Sequence, residues 1–309
     1  MFDMKEVAFI FPGQGSQWVG MGLDLYSSFA TAKSVFDQAD DVLDFPLSRM
    51  CFEGPEEELR KTINAQPALV TTSLACLQAM REISDDKLPQ PVCTAGHSLG
   101  EYTALALAGV FDFATAIHLS RERGRLMHQA GQTQPGGMAA IIGMDEAPLA
   151  EVCQQTGTVI ANINCPGQIV ISGPQNNLTQ AMELARVKGA LRAIPLPVSG
   201  AFHTSLMQPA VDGMSEILDA LDFHEPAIPV IANTSAQPLN STDGVKAELR
   251  QQLCHCVRWQ QSIEYMVATG VSTFVEIGPG KVLTGLIKRI NKEVKTMNIN
   301  DNETIRSLA

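Results

Sequence analysis

Ser98 stands in the run Gly96-His97-Ser98-Leu99-Gly100, which fits the spacing G-x-S-x-G. Glycines on both sides let a chain turn sharply between strand and helix and hold the serine hydroxyl out on the turn. A serine so placed sits at a helix N-terminus, where backbone N–H groups and the helix dipole favour the negative charge that develops in acyl transfer. The bland reading of the same residues is a tight turn with a capping serine. A serine hydroxyl is a poor nucleophile near neutral pH and needs a base within hydrogen-bond reach, most often histidine. His97 adjoins Ser98, but neighbouring side chains diverge on a sharp turn; His118 and His128 fall on a helical stretch, and His224 precedes a proline-containing segment. His203, in Ser199-Gly-Ala-Phe-His-Thr204, falls in a glycine-containing loop after a strand, a usual place for reactive groups on an α/β scaffold. Spacing places no Asp or Glu beside it to complete a triad.

Arg121-Glu-Arg-Gly-Arg125 sets three guanidiniums in five residues on a helix expected to begin near Asp112. Such a cluster is most often a solvated face. Helical spacing nevertheless brings Arg123 and Met127 close to the apolar stripe of Phe113, Ile117 and Ser120. An arginine on that border can reach into a cleft and hold a carboxylate by two parallel hydrogen bonds. The pattern does not choose among Arg121, Arg123 and Arg125. Two other turns carry less: Gly13-Gln-Gly-Ser-Gln-Trp18 has tryptophan where a dinucleotide fingerprint has its third glycine, and Gly278-Pro-Gly-Lys281 lacks the first glycine and the Ser/Thr of a phosphate loop. Cys254-His-Cys256 has no second Cys/His cluster at useful spacing, so no metal is expected.

The elements that must position these residues follow a recognisable rhythm. Val7 to Phe11 and Pro91 to Ala95 are short apolar runs closed by glycine, as buried parallel strands are, and Leu99 to Ala108 is a good helix former. Gln66 to Met80 reads helical, with Pro67 in its first turn. From Met138 the order becomes strand (138–142), helix (146–155), strands (158–164 and 168–172), helix (177–188) and strand (191–198). That is the βαββαβ order of a ferredoxin-like unit. We therefore expect an α/β fold with a parallel-sheet body from residues 1–128 and 198–309 and an inserted subdomain at 129–197. Val230 to Asn233 and Thr273 to Ile277 read as returning strands, Val282 to Lys292 as a late helix, and the polar last ten residues as a fraying end.

With 309 residues the chain is long enough for a substantial core, and 22 Lys+Arg against 33 Asp+Glu give a net charge of −11. An acidic chain without a basic tract has no footprint for nucleic acid or an anionic membrane face. Seven cysteines, odd in number and without a C-x-x-C pair, read as reduced, and no run reaches the roughly 20 apolar residues of a spanning helix. The expected setting is cytoplasmic.

Taken together, the residues resemble the malonyl-CoA:acyl carrier protein transacylases and the related acyltransferase domains of polyketide synthases. The resemblance runs nearly end to end through Phe11-Pro-Gly-Gln-Gly-Ser-Gln17, Gln66-Pro-Ala-Leu69, Gly96 to Tyr102, Glu122-Arg-Gly124, Asn164-Cys-Pro-Gly-Gln168, Phe202-His203 and Glu276-Ile-Gly-Pro-Gly-Lys281. It implies an α/β-hydrolase-like body with a ferredoxin-like insertion. It also implies Ser98 as nucleophile, His203 as general base and then acid, and Arg123 as the clamp on a malonyl carboxylate. The backbone N–H groups of Gln14 and Leu99 would form the oxyanion hole, Gln66, Met127 and Phe202 would face the substrate, and a backbone carbonyl near Cys256-Val-Arg-Trp259 would orient His203. Many relatives have proline where Cys256 stands.

The implied reaction is ping-pong transfer from malonyl-CoA to the phosphopantetheine thiol of an acyl carrier protein, by a monomer without a cofactor. Phe202 stands where relatives that accept methylmalonyl have serine, so malonyl is the expected acyl group. Carrier proteins of this kind are acidic, and Lys188, Arg192, Lys281, Lys288 and Arg289 are candidates for a local basic docking patch. The alternatives are an acyltransferase serving a polyketide assembly line in trans, a serine hydrolase that gives the acyl group to water, and a carrier-binding module without catalysis.

Overall fold

The computed structural model describes residues 6–84 and 90–308. Among them ten strands form two sheets: β1 (Val7–Phe11), β2 (Cys93–Gly96), β3 (Gly136–Ile142), β4 (Val159–Cys165), β5 (Gln168–Pro174), β6 (Arg192–Pro195), β7 (Val230–Ile231), β8 (Pro238–Leu239), β9 (Thr273–Ile277) and β10 (Lys295–Ile299). The first sheet runs β10-β9-β1-β2-β7-β8 and is parallel except at the β7–β8 pair. Alternate residues of β1 enter two apolar clusters: Val7, Phe9 and Phe11 join Leu74 and Leu105, whereas Ala8 and Ile10 join Trp259 and Ile263. Both faces are thus covered, and the strand is apolar throughout rather than alternating. The register sets Phe11 beside Gly96 and Ile10 beside Glu276. The turns after β1, β2 and β9 therefore emerge side by side at the carboxyl ends of the strands, where open α/β sheets place their sites.

The second sheet is antiparallel in the order β4-β5-β3-β6, and its helices Glu146–Thr156 and Gln175–Val187 complete the expected βαββαβ succession. Ala139, Ile141, Ile169 and Ile171 pack beneath those helices, while Met138, Ala140 and Val170 line a cavity on the opposite face. The sheet is stitched to the body: Val257 donates to the Ala161 carbonyl at 2.8 Å and accepts from the Ile163 N–H at 2.9 Å. Arg289 adds a second tie through Gln168 Oε1 at 2.5 Å and the Pro166 carbonyl at 3.2 Å.

Two long helices, Thr62–Ile83 and Phe113–Thr133, pack together beside the first sheet. Asp112 caps the second, its Oδ1 accepting from the Thr115 N–H at 2.8 Å. Gly124 permits their contact, because a Cβ there would lie 2.7 Å from the Thr62 carbonyl oxygen.

Three expectations need correction. Pro67 lies inside its helix rather than in the first turn, since the helix starts at Thr62. Proline has no N–H for the Ile63 carbonyl four residues back, and Arg121 Nη1 donates to that oxygen instead, at 2.9 Å. The strand expected over 191–198 is only Arg192–Pro195; the Leu196 N–H still bonds the Met138 carbonyl at 2.9 Å, and Leu196, Pro197 and Val198 line the cavity. The polar C-terminal segment does not fray: Asn302–Arg306 is helical, held by a capping box between Asp301 and Thr304.

Candidate active site

The elbow at Ser98 is forced by close packing. A Cβ on Gly96 would lie 1.9 Å from the Gly100 carbonyl carbon, and one on Gly100 would lie 2.2 Å from the Phe11 carbonyl oxygen. Only glycine fits at either position, and the chain between them turns so tightly that Ser98 takes φ 48°, in the left-handed region. The strained residue is held at both ends. Its N–H donates to Asn233 Oδ1 at 2.7 Å, and its carbonyl accepts from Gln252 Nε2 at 2.9 Å.

His203 also has a positive φ, 61°, and its side chain meets Ser98 with Nε2 at 3.0 Å from Oγ. Its other nitrogen, Nδ1, lies 2.7 Å from the Gln252 carbonyl oxygen. A carbonyl can only accept, so Nδ1 carries the proton and Nε2 keeps its lone pair for the serine hydroxyl. Burial and the nearby Arg123 charge push the imidazole down to about 3, so it is neutral near pH 7. The orienting carbonyl belongs to Gln252, four residues before the Cys256-Val-Arg-Trp259 segment. That segment does not depend on a proline at position 256 to stay in place. Val257 is bonded to β4, and the Arg258 N–H donates to the Asn233 carbonyl at 2.8 Å.

The three clustered arginines do three different things. Arg125 pairs with Glu122 at 2.7 Å on a partly exposed face, and Arg121 holds Ile63 and Asn64. Arg123 is 2 % exposed. Its Nη1 donates to Gln66 Oε1 at 2.8 Å, and its Nη2 donates to Gln252 Oε1 at 2.7 Å and to Ser98 Oγ at 3.1 Å. All three acceptors are neutral, Nε has no partner, and no ion pair among the described residues includes Arg123. Burial lowers its pKa from the usual guanidinium value, while the neighbouring Tyr102 and Glu101 act to raise it.

Beneath Ser98 lies a polar layer that spacing did not disclose. Glu101 is fully buried; its Oε1 accepts from the Asn233 backbone and side-chain N–H groups at 2.9 and 2.8 Å, and its Oε2 accepts from Gln252 Nε2. Burial pushes this carboxyl well above the ordinary range, opposed by those donors. Asn233 also donates to the Gly96 carbonyl at 2.8 Å. Glu101 lies within the elbow motif and Asn233 at the end of a predicted strand run, so both had a signal; Gln252 had none. His97 bonds Asn164 Oδ1 at 2.8 Å rather than Ser98, and His97 and Asn164 both line the cavity over Ser98.

A cavity of about 410 Å3 opens over Ser98, His203 and Arg123. Gln14 and Leu99, Phe202 and Met127, and Met138 and Val170 of the second sheet all line it. Phe202 is buried, and Met127 Sδ accepts from Gln66 Nε2 at 3.3 Å. Of the basic candidates, Lys188 pairs with Glu151 at 3.2 Å, and Arg289 is engaged with Gln168. Lys281, Lys288 and Arg192 are exposed.

A parallel α/β sheet with a serine elbow, an oriented histidine and a buried arginine defines an acyl-transfer site built on serine. The acyl transferase domain family matches residues 8–305. The malonyl CoA-acyl carrier protein transacylase of Bacillus subtilis is 48% identical over 307 residues, 98% of this chain and 96% of that protein. The crystal structure of acyl-carrier-protein-S-malonyltransferase from Bartonella henselae superposes with a TM-score of 0.95 at 44% identity, covering 98% of each chain. A malonyl-transacylase in complex with its type II PKS acyl-carrier protein gives a TM-score of 0.93 at 39% identity over 98% of each chain. The chain belongs to the acyl transferase domain family, in the group of the malonyl CoA-acyl carrier protein transacylases, and is an acyltransferase.

Proposed function

We propose that this chain transfers a malonyl group from malonyl-CoA to the phosphopantetheine thiol of an acyl carrier protein through a malonyl-Ser98 ester. The observation that carries the reading is Arg123, a buried guanidinium 3.1 Å from Ser98 Oγ with only neutral oxygens around it. Both N–H groups of Nη2 are engaged and Nε is buried, so a carboxylate would replace a neutral acceptor on Nη2 and bond the adjacent Nη1 as well. An acyl group without a carboxylate leaves that charge uncompensated, which disfavours acetyl.

Ser98 Oγ attacks the thioester carbon as its proton passes to His203 Nε2. The tetrahedral oxyanion is received by the Gln14 and Leu99 N–H groups, and Ser98's own amide is already taken by Asn233. Collapse breaks the C–S bond, and the CoA thiolate leaves with the proton from His203. The carrier's thiol then gives its proton to Nε2 and attacks the ester carbon; the C–Oγ bond breaks, and Ser98 Oγ takes the proton back from His203. Serine, imidazole, guanidinium and peptide N–H groups suffice, so the reading includes no cofactor. It takes the enzyme as a cytoplasmic monomer on which the carrier docks beside the exposed Lys281 and Lys288. Phe202 narrows the cavity against an α-methyl branch.

The test is intact-protein mass spectrometry after brief mixing with malonyl-, methylmalonyl- or acetyl-CoA. A malonyl adduct on wild type, absent in Ser98→Ala and reduced in Arg123→Ala, is the expected outcome. A preference for acetyl, or no adduct on folded wild type, would overturn the substrate assignment.

A further inference from the structure

Arginine can only donate, and that single fact fixes the direction of a whole row of buried hydrogen bonds. Arg123 Nη1 donates to Gln66, so the atom facing it is Oε1, and Nε2 faces the other way. Nε2 lies 2.9 Å from Thr62 Oγ1, one helical turn back, and donates to it. The Thr62 hydroxyl hydrogen is then free to point onward, and Oγ1 lies 2.9 Å from Gln14 Oε1. Gln66 and Thr62 are 0 % and 1 % exposed, so water does not compete for the bond between them, while Gln14 at the end of the row borders the cavity. The row runs from the carboxylate clamp to the loop whose residue 14 amide serves the oxyanion in the proposed mechanism.

We propose that Thr62 and Gln66 are positioning residues that couple occupation of Arg123 by an acyl carboxylate to the placement of Gln14, and so turn carboxylate recognition into rate. The inference rests on the malonyl-transfer reading above. With a carboxylate bound, the guanidinium is fixed in place by an anion, and the row of hydrogen bonds that it heads is fixed with it. Gln66, Thr62 and Gln14 are held in one arrangement, and the Gln14 amide meets the developing oxyanion preorganised. With an acetyl group, Arg123 is held only by neutral oxygens and the row is not tightened. Selectivity for a free carboxylate then resides in the transition state as well as in binding.

The experiment measures pre-steady-state acylation of Ser98 by malonyl-CoA and by acetyl-CoA on the full chain. Thr62→Val replaces the hydroxyl with a methyl group of similar volume, and Thr62→Ser keeps the hydroxyl. Thr62→Val is expected to lower the malonyl acylation rate about tenfold with little change in the concentration dependence, while the acetyl rate falls far less. Thr62→Ser should recover most of the loss. In an Arg123→Ala background, Thr62→Val should cost nothing further, since the row no longer has its origin. Equal losses for both acyl donors, or effects of the two substitutions that multiply, would show a merely structural threonine and overturn the coupling. Wild type that takes malonyl, together with an unaffected Thr62→Val, defeats the coupling alone; folded wild type that takes no malonyl defeats the underlying reading as well.

Discussion

At the scale of single residues, the proposed mechanism requires His203 to stay neutral while a guanidinium stands close by. Its pKa is lowered to about 3 by burial first and by Arg123 second. Observed by NMR, the His203 ring should therefore show no titration near 6.5, and Arg123→Met should move its titration upward by removing the positive charge. The sign for stability follows from the same shift: below about 6.5 the unfolded chain binds a proton that the folded chain does not, so this residue's contribution weakens as pH falls toward 3. Glu101 offers a second test. Glu101→Gln would set an amide nitrogen against the N–H donors of Asn233 or Gln252. We expect a loss of about 10²-fold in kcat with modest change in KM, because Ser98 and Arg123 lean on those two side chains and His203 on the Gln252 backbone. Phe202→Ser should admit methylmalonyl-CoA in the mass-spectrometric assay and lower stability by about 3 kcal/mol in denaturant melts.

At the scale of elements, the decisive contact is between the helices Thr62–Ile83 and Phe113–Thr133. Gly124→Ala would push a methyl group against the Thr62 carbonyl, 2.7 Å away, and separate the helices that carry Thr62, Gln66 and Arg123. The expected result is about 2 kcal/mol less stability by thermal melting and a reduced preference for malonyl over acetyl. Much at this scale was legible in the sequence. Continuous apolar runs marked β1 and β2, and the two glycines around Ser98 announced an elbow whose collisions are now explicit. The choice among Arg121, Arg123 and Arg125 was not legible in the spacing and came only with the family resemblance, because it depends on Pro67 of another helix freeing the Ile63 carbonyl for Arg121. Gln252 was hidden for a similar reason: its role comes from a carbonyl and an amide that three distant segments share, and pattern carries no trace of such a meeting.

At the scale of the whole molecule, the cavity lies between the body, which carries Ser98, His203 and Arg123, and the second sheet, which supplies Met138, Ala140 and Val170. Arg289→Ala removes one of the ties between them and should raise KM for malonyl-CoA by about threefold, measured by steady-state transfer, with smaller effect on kcat. The other tie has a different kind of consequence. Val257 bonds β4 through both its N–H and its carbonyl, and the chain that carries it is the same short stretch that presents the Gln252 carbonyl to His203. The cavity wall at β4 and the loop that holds His203 are therefore tied together through Val257, and in the proposed mechanism the acyl pocket and the base descend as one inheritance. Lineages that drift toward bulkier acyl groups by reshaping this wall will drift in turnover at the same time, and a library randomised along β3, β4 and β5 should scatter its members along a single line of taste against speed.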